Sequence, residues 1–134
     1  SGPLLDRIDL HVEVTPVAFE ELSSKNIFEK SEQIRERVIN ARNLQAQRYL
    51  MHEGVYANAQ MSSKMLKEIC IINDTGQRLL KSAMEKLNLS ARAYDRIIKV
   101  SRTIADLAHS PDIKPEHLAE AIQYRSLDRE GWGG

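Results

Sequence analysis

The spacing of the apolar residues constrains this chain more than any other feature, because from Ser31 onward they recur at helical intervals. Apolar side chains three and four residues apart share one face of an α-helix, whereas strands alternate every second residue. Start and stop signals divide the region into five predicted helices, over about 31–50, 62–70, 74–87, 90–109 and from 115 onward. The pattern therefore predicts a mainly α-helical fold, a bundle of four to five helices.

Capping residues mark where the predicted helices begin. We expect Ser31 and Ser90 to be N-caps, Pro115 to occupy the first position of the last helix, and residues 74–77 to form a capping box. On the helix that follows Ser90, the predicted buried stripe is Tyr94, Ile97, Ile98, Ser101, Ile104, Ala105 and Ala108. The other predicted buried faces are Ile34, Val38, Ala41 and Gln45 in the first helix, Leu79, Leu80, Ala83, Met84 and Leu87 in the third, and Leu118, Ala121 and Ile122 in the last.

Ahead of the helices lies one short alternating run at residues 10–14, Leu-His-Val-Glu-Val, which predicts a single β-strand. One strand cannot form a sheet, so we expect its partners to lie outside this chain, which is then an excised piece of a larger protein. Residues 15–30 lack sustained periodicity and are predicted to be a linker, and residues 126–134 are predicted to be a flexible C-terminus.

Composition limits the classes of function. The 134 residues suit one domain, and 19 basic against 19 acidic residues give a net charge of +0, so no global field attracts nucleic acid or a membrane. The single cysteine, Cys70, lies in an apolar run and is predicted to pack in the core. With no apolar run long enough to span a bilayer and no signal peptide, we expect a soluble, cytoplasmic protein.

No residue pattern indicates catalysis by this chain alone. It lacks a glycine-rich phosphate-binding loop, and its histidines have no metal-ligand spacing, so no metal site is expected at His11, His52, His109 or His117. His117, in the first turn of the last helix, is expected to be structural or exposed. One cysteine and dispersed histidines also provide no nucleophile with a matching base. The chain by itself is therefore not expected to be an enzyme.

Two arginines, Arg7 and Arg92, are the candidate functional residues. Arg92 falls in the first turn of the helix capped by Ser90, where unpaired N–H groups and the helix dipole already make the potential positive. A cation there opposes the dipole, whereas a bound anion would favour it, and a nucleotide phosphate is the anion that such helix ends commonly bind. A solvated arginine, or one paired with a nearby carboxylate, is the alternative interpretation.

The segments around both arginines resemble those of a known ATPase family. Residues 4–10, Leu-Leu-Asp-Arg-Ile-Asp-Leu, are similar to the segment that enters the last core strand in the helix-2-insert branch of AAA+ ATPases, which includes magnesium chelatase subunits and MCM helicases. Residues 89–107 resemble the sensor-2 helix of the C-terminal lid, and residues 113–129 resemble the closing helix of magnesium-chelatase-like proteins of the ComM (YifB) type. The resemblance implies that Arg7 is a catalytic arginine finger on the neighbouring subunit's nucleotide and that Arg92 contacts the γ-phosphate.

The resemblance also implies an organisation and partners. Residues 1–14 are expected to be the end of an AAA+ core, 15–30 a linker, 31–125 the helical lid with its sensor-2 helix at about 90–109, and 126–134 the flexible end. ATP and Mg²⁺ are expected in the full-length protein and no cofactor in this chain alone. The implied partners are the missing N-terminal core, neighbouring subunits of a homo-oligomeric ring, with a hexamer expected, and DNA; no membrane is implied.

Three functions stay open at this point. The first is the lid of a ring-forming ATPase that couples ATP hydrolysis to DNA remodelling in branch migration and recombination, which residues 123–129 favour. The second is the lid of a magnesium chelatase ATPase subunit that drives metal insertion into a porphyrin. The third is a stand-alone helical adaptor or DNA-binding module, for which neither a recognition helix nor a strongly basic face is apparent.

Overall fold

The computed structural model describes residues 4, 7–23 and 28–125 of the chain. Their regular structure is a short helix α1 (Phe19–Ser23) followed by α2 (Ser31–Arg48), α3 (Ser63–Ile69), α4 (Asp74–Leu87), α5 (Ala91–Leu107) and α6 (Pro115–Gln123). A 3₁₀ turn, Asn58–Gln60, lies between α2 and α3. No β-strand occurs within the described residues, and the predicted mainly α-helical fold with five helices from Ser31 onward is confirmed. None of the described helices is long and apolar enough to cross a membrane.

Side-chain caps set where α3 and α5 begin. Ser90 Oγ accepts the N–H of Ala93 at 3.1 Å, and Ser62 Oγ accepts the N–H of Met65 at 3.2 Å. Each bond satisfies one of the backbone donors that a helix N-terminus leaves without an intrahelical partner. The predicted cap at Ser90 and the predicted Pro115 at the first position of α6 are confirmed.

The predictions for α2 and α4 place the N-cap one residue too late. At α4 the cap is Asn73 rather than the first residue of the predicted capping box, and its Oδ1 accepts the N–H of Gly76 at 2.8 Å. At α2 the cap is Lys30, whose N–H donates to the side chain of Gln33 at 3.0 Å. Because Gln33 reaches back in this way, Ser31 is already inside the helix.

Helix α5 is the centre of the fold. It packs against α2, α3, α6 and the 3₁₀ turn, and α4 packs against α6. Of the stripe predicted on α5, Ala108 is exposed because the helix ends at Leu107, whereas Ala93 is buried although it was not part of the stripe. The predicted inward faces of α4 and α6 are confirmed. The buried apolar cluster consists of Tyr49, Met61, Leu66, Cys70, Leu80, Ile97, Ile98, Ala105, Ile113, Leu118 and Ala121.

The predicted buried face of α2 is wrong for its first half. Ala41 and Gln45 are buried, but Ile34 and Val38 are 44% and 42% exposed. The stripe is continuous in sequence, yet within the described part of the chain only the second half of α2 is covered. Periodicity identifies which face of a helix is apolar, not how much of its length finds a neighbour.

The N-terminal segment differs from its prediction in two ways. Residues 10–14, expected to be a strand, have no regular structure, and Val14 is 88% exposed, because no ladder partner exists among the described residues. The predicted linker at 15–30 contains the short helix α1, which the absence of sustained periodicity did not indicate. Residues 126–134, predicted to be flexible, lie outside the described residues, and the domain boundaries stay predictions.

A buried polar network ties α2, the 3₁₀ turn and α5 together. Its centre is Asp106, which is 1% exposed and accepts two hydrogen bonds from Arg48, Nη1 to Oδ2 at 2.9 Å and Nη2 to Oδ1 at 2.6 Å. Asn58 Nδ2 donates to the same carboxylate at 3.0 Å, and the backbone N–H of Asn58 donates to Gln45 Oε1 at 2.9 Å. The side-chain oxygen Oδ1 of Asn58 in turn accepts a hydrogen bond from the hydroxyl of Tyr49 at 2.6 Å. Polar groups that are this deeply buried stabilise a fold only when they are paired, as these are.

Arg102 extends the network to the loop between α5 and α6. Its Nε donates to Asp106 at 3.2 Å, while Nη2 and Nη1 donate to the carbonyl oxygens of Ser110 at 2.7 Å and Pro111 at 3.0 Å. One carboxylate thus receives two guanidinium groups. Burial alone would raise the pKa of Asp106, but the hydrogen bonds from Arg48 and Asn58 and the charge of Arg102 together lower it.

Cys70 is buried in the core, as predicted. Burial raises the pKa of its thiol to about 11, with smaller opposing effects from the charges of Arg102 and Arg48. The side chain is therefore a neutral thiol at physiological pH and serves as a small apolar group.

The network makes stability depend on Asp106. Asp106→Asn should lower the free energy of unfolding at pH 7 by about 3–5 kcal/mol, because it leaves the buried guanidinium of Arg102 and the partly buried guanidinium of Arg48 without their counter-charge. Since the native pKa of Asp106 is lowered, its contribution is present above the unfolded-state pKa and is lost as pH falls through the native value. Urea unfolding measured from pH 7 downward should show this loss beginning near about pH 4 in the original chain only.

Asp112→Asn is the matched control for this prediction. Asp112 is exposed and lies in the loop between α5 and α6, six residues after Asp106. Its substitution should therefore change the free energy of unfolding by less than about 0.5 kcal/mol. Equal stabilities of the two variants at pH 7 would contradict a central role for Asp106.

Candidate functional site

Arg92 is the second residue of α5 and is exposed. It makes no hydrogen bond or ion pair with any residue that the structure describes. The helix dipole makes the potential around it positive, and Ser90 fixes the helix end rigidly. Arg92 therefore presents a cation at a place that suits an incoming anion.

A cavity of about 230 Å³ adjoins this helix end. Three cations, Arg92, Arg96 and Lys99, line it, and their spacing of three and four residues puts them on one face of α5. The remaining lining residues are Asp9, Ala59 and Asp95.

The other two cations already have partners. Arg96 forms an ion pair with the carboxylate of Asp9 and is only 27% exposed. Lys99 Nζ donates to the carbonyl oxygen of Ala59 at 3.2 Å. Asp95 accepts a hydrogen bond from Ser63 Oγ at 2.9 Å. Arg96 and Lys99 are therefore not simply solvated, and within the described part of the chain the free guanidinium in the cavity is that of Arg92.

Arg7 lies apart from this cavity. It is exposed in a turn, where its N–H donates to the carbonyl oxygen of Leu4 at 3.1 Å, and its side chain contacts no described partner. Asp9, two residues later, does line the cavity. The structure thus places Arg7 beside the site rather than in it, and its action on a neighbouring subunit stays a prediction.

Two functional neighbours escaped the sequence analysis, Asp9 and Arg125. Arg125 is 1% exposed and its Nη1 donates to the carbonyl oxygen of Ile8. A signal for it existed, because Arg125 lies seven residues after Leu118 and therefore continues the buried face of α6. No local pattern identifies Asp9, whose partner Arg96 is 87 residues away in sequence.

The histidines do not form a second site in the described residues. His117 is 6% exposed, and its Nδ1 accepts the N–H of Lys114 at 3.0 Å, so it caps α6 as a structural residue. His109 adopts a φ of 54° where α5 ends, and His52 contacts the edge of Tyr49 at a ring-centroid distance of 6.2 Å. Among the described residues no group of three or more His, Cys, Asp and Glu side chains could hold a metal ion.

Comparisons with known proteins identify a family that covers most of the chain. The family described as "Magnesium chelatase, subunit ChlI C-terminal" matches residues 28–125. "Competence protein ComM" of Haemophilus influenzae is 43% identical over 130 residues, 96% of this chain and 25% of the relative. "Uncharacterized protein YifB" is 37% identical over 131 residues in Escherichia coli and 36% over 132 in Salmonella typhimurium, again 96% of this chain and 25% of the relative. The chain thus spans about a quarter of the length of these curated relatives.

Arg92→Ala should leave the fold intact. Since it removes an exposed cation that opposes the dipole of α5, we expect the free energy of unfolding to rise slightly, by about 0.3–1 kcal/mol at low salt. Urea unfolding should show the gain shrink as salt is added, because salt screens exposed charges. Arg102→Ala, at a buried arginine of the same helix, is the comparison and should be strongly destabilising. If Arg92→Ala instead lowered the free energy of unfolding by several kcal/mol, Arg92 would be a structural residue.

Proposed function

Because the chain belongs to the family described as magnesium chelatase, subunit ChlI C-terminal, we propose that it is the C-terminal lid of a ring-forming AAA+ ATPase that remodels DNA. The observation that carries the proposal is Arg92, an exposed cation at the N-terminus of α5 without a partner among the described residues, beside two cations that have one. In this proposal Arg92 contacts the γ-phosphate of ATP bound by the rest of the same subunit.

The chemistry of phosphoryl transfer explains why a lid would carry such a cation. Negative charge on the γ-phosphoryl oxygens must be stabilised by groups already in position, and one arginine is worth about 10³–10⁵ in rate. Arg92 suits this role because a side-chain cap and a packed helix hold its backbone in place. Its guanidinium nevertheless remains accessible at the surface.

Arg7 supplies the second cation of the proposed mechanism. It acts on the nucleotide of the neighbouring subunit in a homo-oligomeric ring, proposed to be a hexamer. Arg7 is exposed and does not line the Arg92 cavity, which is compatible with a role across a subunit interface. In this proposal ATP and Mg²⁺ are held by the remainder of the full-length protein. This chain matches 25% of the Haemophilus influenzae relative, so that remainder is about three quarters of the relative's length.

The substrate class rests on the relatives rather than on a DNA-contacting residue. The name of the Haemophilus influenzae relative refers to competence, the uptake of DNA, which favours a DNA-remodelling motor located in the cytoplasm. The family description favours the second candidate, a magnesium chelatase motor that drives metal insertion into a porphyrin. Both candidates use the lid in the same way and differ only in the substrate that the ring acts on.

Mixed rings test the proposed roles in the full-length protein. One subunit carries Arg7→Ala, and the other lacks the lysine of its phosphate-binding loop. Each homogeneous ring should be nearly inactive in ATP hydrolysis, whereas mixed rings should recover part of the activity. Recovery occurs because some interfaces pair an intact site in the first subunit with an intact finger from the second. Arg35→Ala, an exposed arginine on α2, is the control and should leave the rate unchanged.

Full activity of the homogeneous Arg7→Ala ring would overturn the role of Arg7. The same assay, repeated with branched DNA, tests the substrate class. We expect DNA to stimulate hydrolysis several-fold in the original ring. Stimulation by a porphyrin substrate and not by DNA would favour the chelatase motor instead.

A further inference from the structure

Three contacts hold residues 8–11 against the helical domain. Arg125 Nη1 donates to the carbonyl oxygen of Ile8, and Arg96 forms an ion pair with Asp9. The N–H of His11 donates to the carbonyl oxygen of Tyr124 at 2.9 Å. The contacts come from α5 and from the residues after α6, so this segment, which we call the docked segment, is held from two sides.

The contacts differ in strength. Arg125 is 1% exposed, and a buried guanidinium must be hydrogen-bonded, so the carbonyl of Ile8 helps to satisfy a group that cannot turn to water. The ion pair is weaker, because Asp9 is 51% exposed and solvent screens it. It nevertheless fixes the register, since it ties Asp9 to one turn of α5.

An apolar contact adds to the polar ones. Leu10 lines a cavity of about 310 Å³ whose apolar walls come from Val100, Ile104 and Leu107 on α5 and from Tyr124. Three successive residues of the docked segment, from Asp9 to His11, thus engage the helical domain through side chains and backbone.

We propose that Arg96 and Arg125 are positioning residues that hold the Arg7 finger at a set place relative to Arg92. Arg7 directly precedes the docked segment, and consecutive Cα atoms are only about 3.8 Å apart, so the backbone of Arg7 follows the segment. Arg96 lies one turn after Arg92 on the same face of α5. The contacts thus couple the core segment that carries Arg7 to the lid, so a movement of the lid in response to its own nucleotide is passed on to the finger for the neighbouring nucleotide.

This inference rests on the proposed function for the roles of the two arginines, but the docked segment itself does not. It also assigns Arg96 to the docked segment rather than to the nucleotide, although Arg96 lines the same cavity as Arg92. A positioning residue of this kind affects hydrolysis in the neighbour while leaving nucleotide binding in its own subunit unchanged.

A charge exchange in the 134-residue chain tests the docked segment. Arg96→Asp should expose the N–H of His11 and raise its hydrogen-exchange rate about fivefold. The double variant Asp9→Arg with Arg96→Asp should return the rate towards the original, because it restores an ion pair of opposite polarity. Exchange in α4 should not change in either variant. Arg35→Asp, which alters charge on α2 away from the segment, is the control.

Mixed full-length rings test the positioning role. Arg96→Asp should lower kcat about tenfold with little change in the Kd for ATP, and the double exchange should restore kcat. Mixed with subunits that lack the phosphate-binding lysine, Arg96→Asp should regain activity as Arg7→Ala does, because both defects lie in the finger and not in the subunit's own site.

Each outcome decides a separate point. An unchanged hydrogen-exchange rate at His11 in Arg96→Asp would show that Arg96 does not hold the docked segment in place. If Arg7→Ala regains activity in mixed rings and Arg96→Asp does not, the positioning role is wrong while the proposed function stands. If Arg7→Ala is fully active by itself, the proposed function of Arg7 fails, and normal kcat in Arg96→Asp would then remove the positioning role as well.

Discussion

Hydrogen bonds to the buried carboxylate of Asp106 orient the helices around α5. This carboxylate collects Arg48 from α2, Asn58 from the 3₁₀ turn and Arg102 from its own helix, and the first two lie 58 and 48 residues away in sequence. Apolar packing alone would bring these helices together, but hydrogen bonds have direction and therefore fix how the helices are oriented. Arg102 carries the same constraint into the loop that leads to α6.

The two ends of α5 differ in their surroundings, since Asp106 near the C-terminal end is buried and Arg92 near the N-terminal end is exposed. Asp106 anchors the C-terminal end in the bundle, and Arg92 stands fourteen residues earlier, about 21 Å away along the helix. Between these two residues, Arg96 forms an ion pair with Asp9, and Lys99 donates a hydrogen bond to the carbonyl oxygen of Ala59. The proposed function therefore connects Arg92, through α5, to the helical domain and to the docked segment.

Local pattern predicted the helices but not the contacts that orient them. The bounds of α4, the cap at Ser90 and the inward face of α6 follow from periodicity and capping chemistry, which are properties of neighbouring residues. The pairing of Arg48 with Asp106 and of Arg96 with Asp9 depends on chain segments far apart in sequence, which no local rule connects. The exposure of Ile34 shows the same limit, because an apolar stripe does not state what covers it. The role of Arg7 came from resemblance, whereas Arg92 was also marked by its place in the first turn of α5. The structure added that Arg92, of the three cations on one face, has no described partner.

Discrimination between ATP and ADP tests whether Arg92 contacts the γ-phosphate, as proposed. The measurement is the ratio of the Kd values for ADP and a non-hydrolysable ATP analogue, in the full-length protein and in its Arg92→Ala variant. A lost charge-assisted hydrogen bond to phosphate is worth about 1.5–3 kcal/mol, so the ratio should fall about tenfold or more while the affinity for ADP stays the same. An unchanged ratio in Arg92→Ala would contradict the account, because Arg92 would then make no contact that distinguishes the two nucleotides.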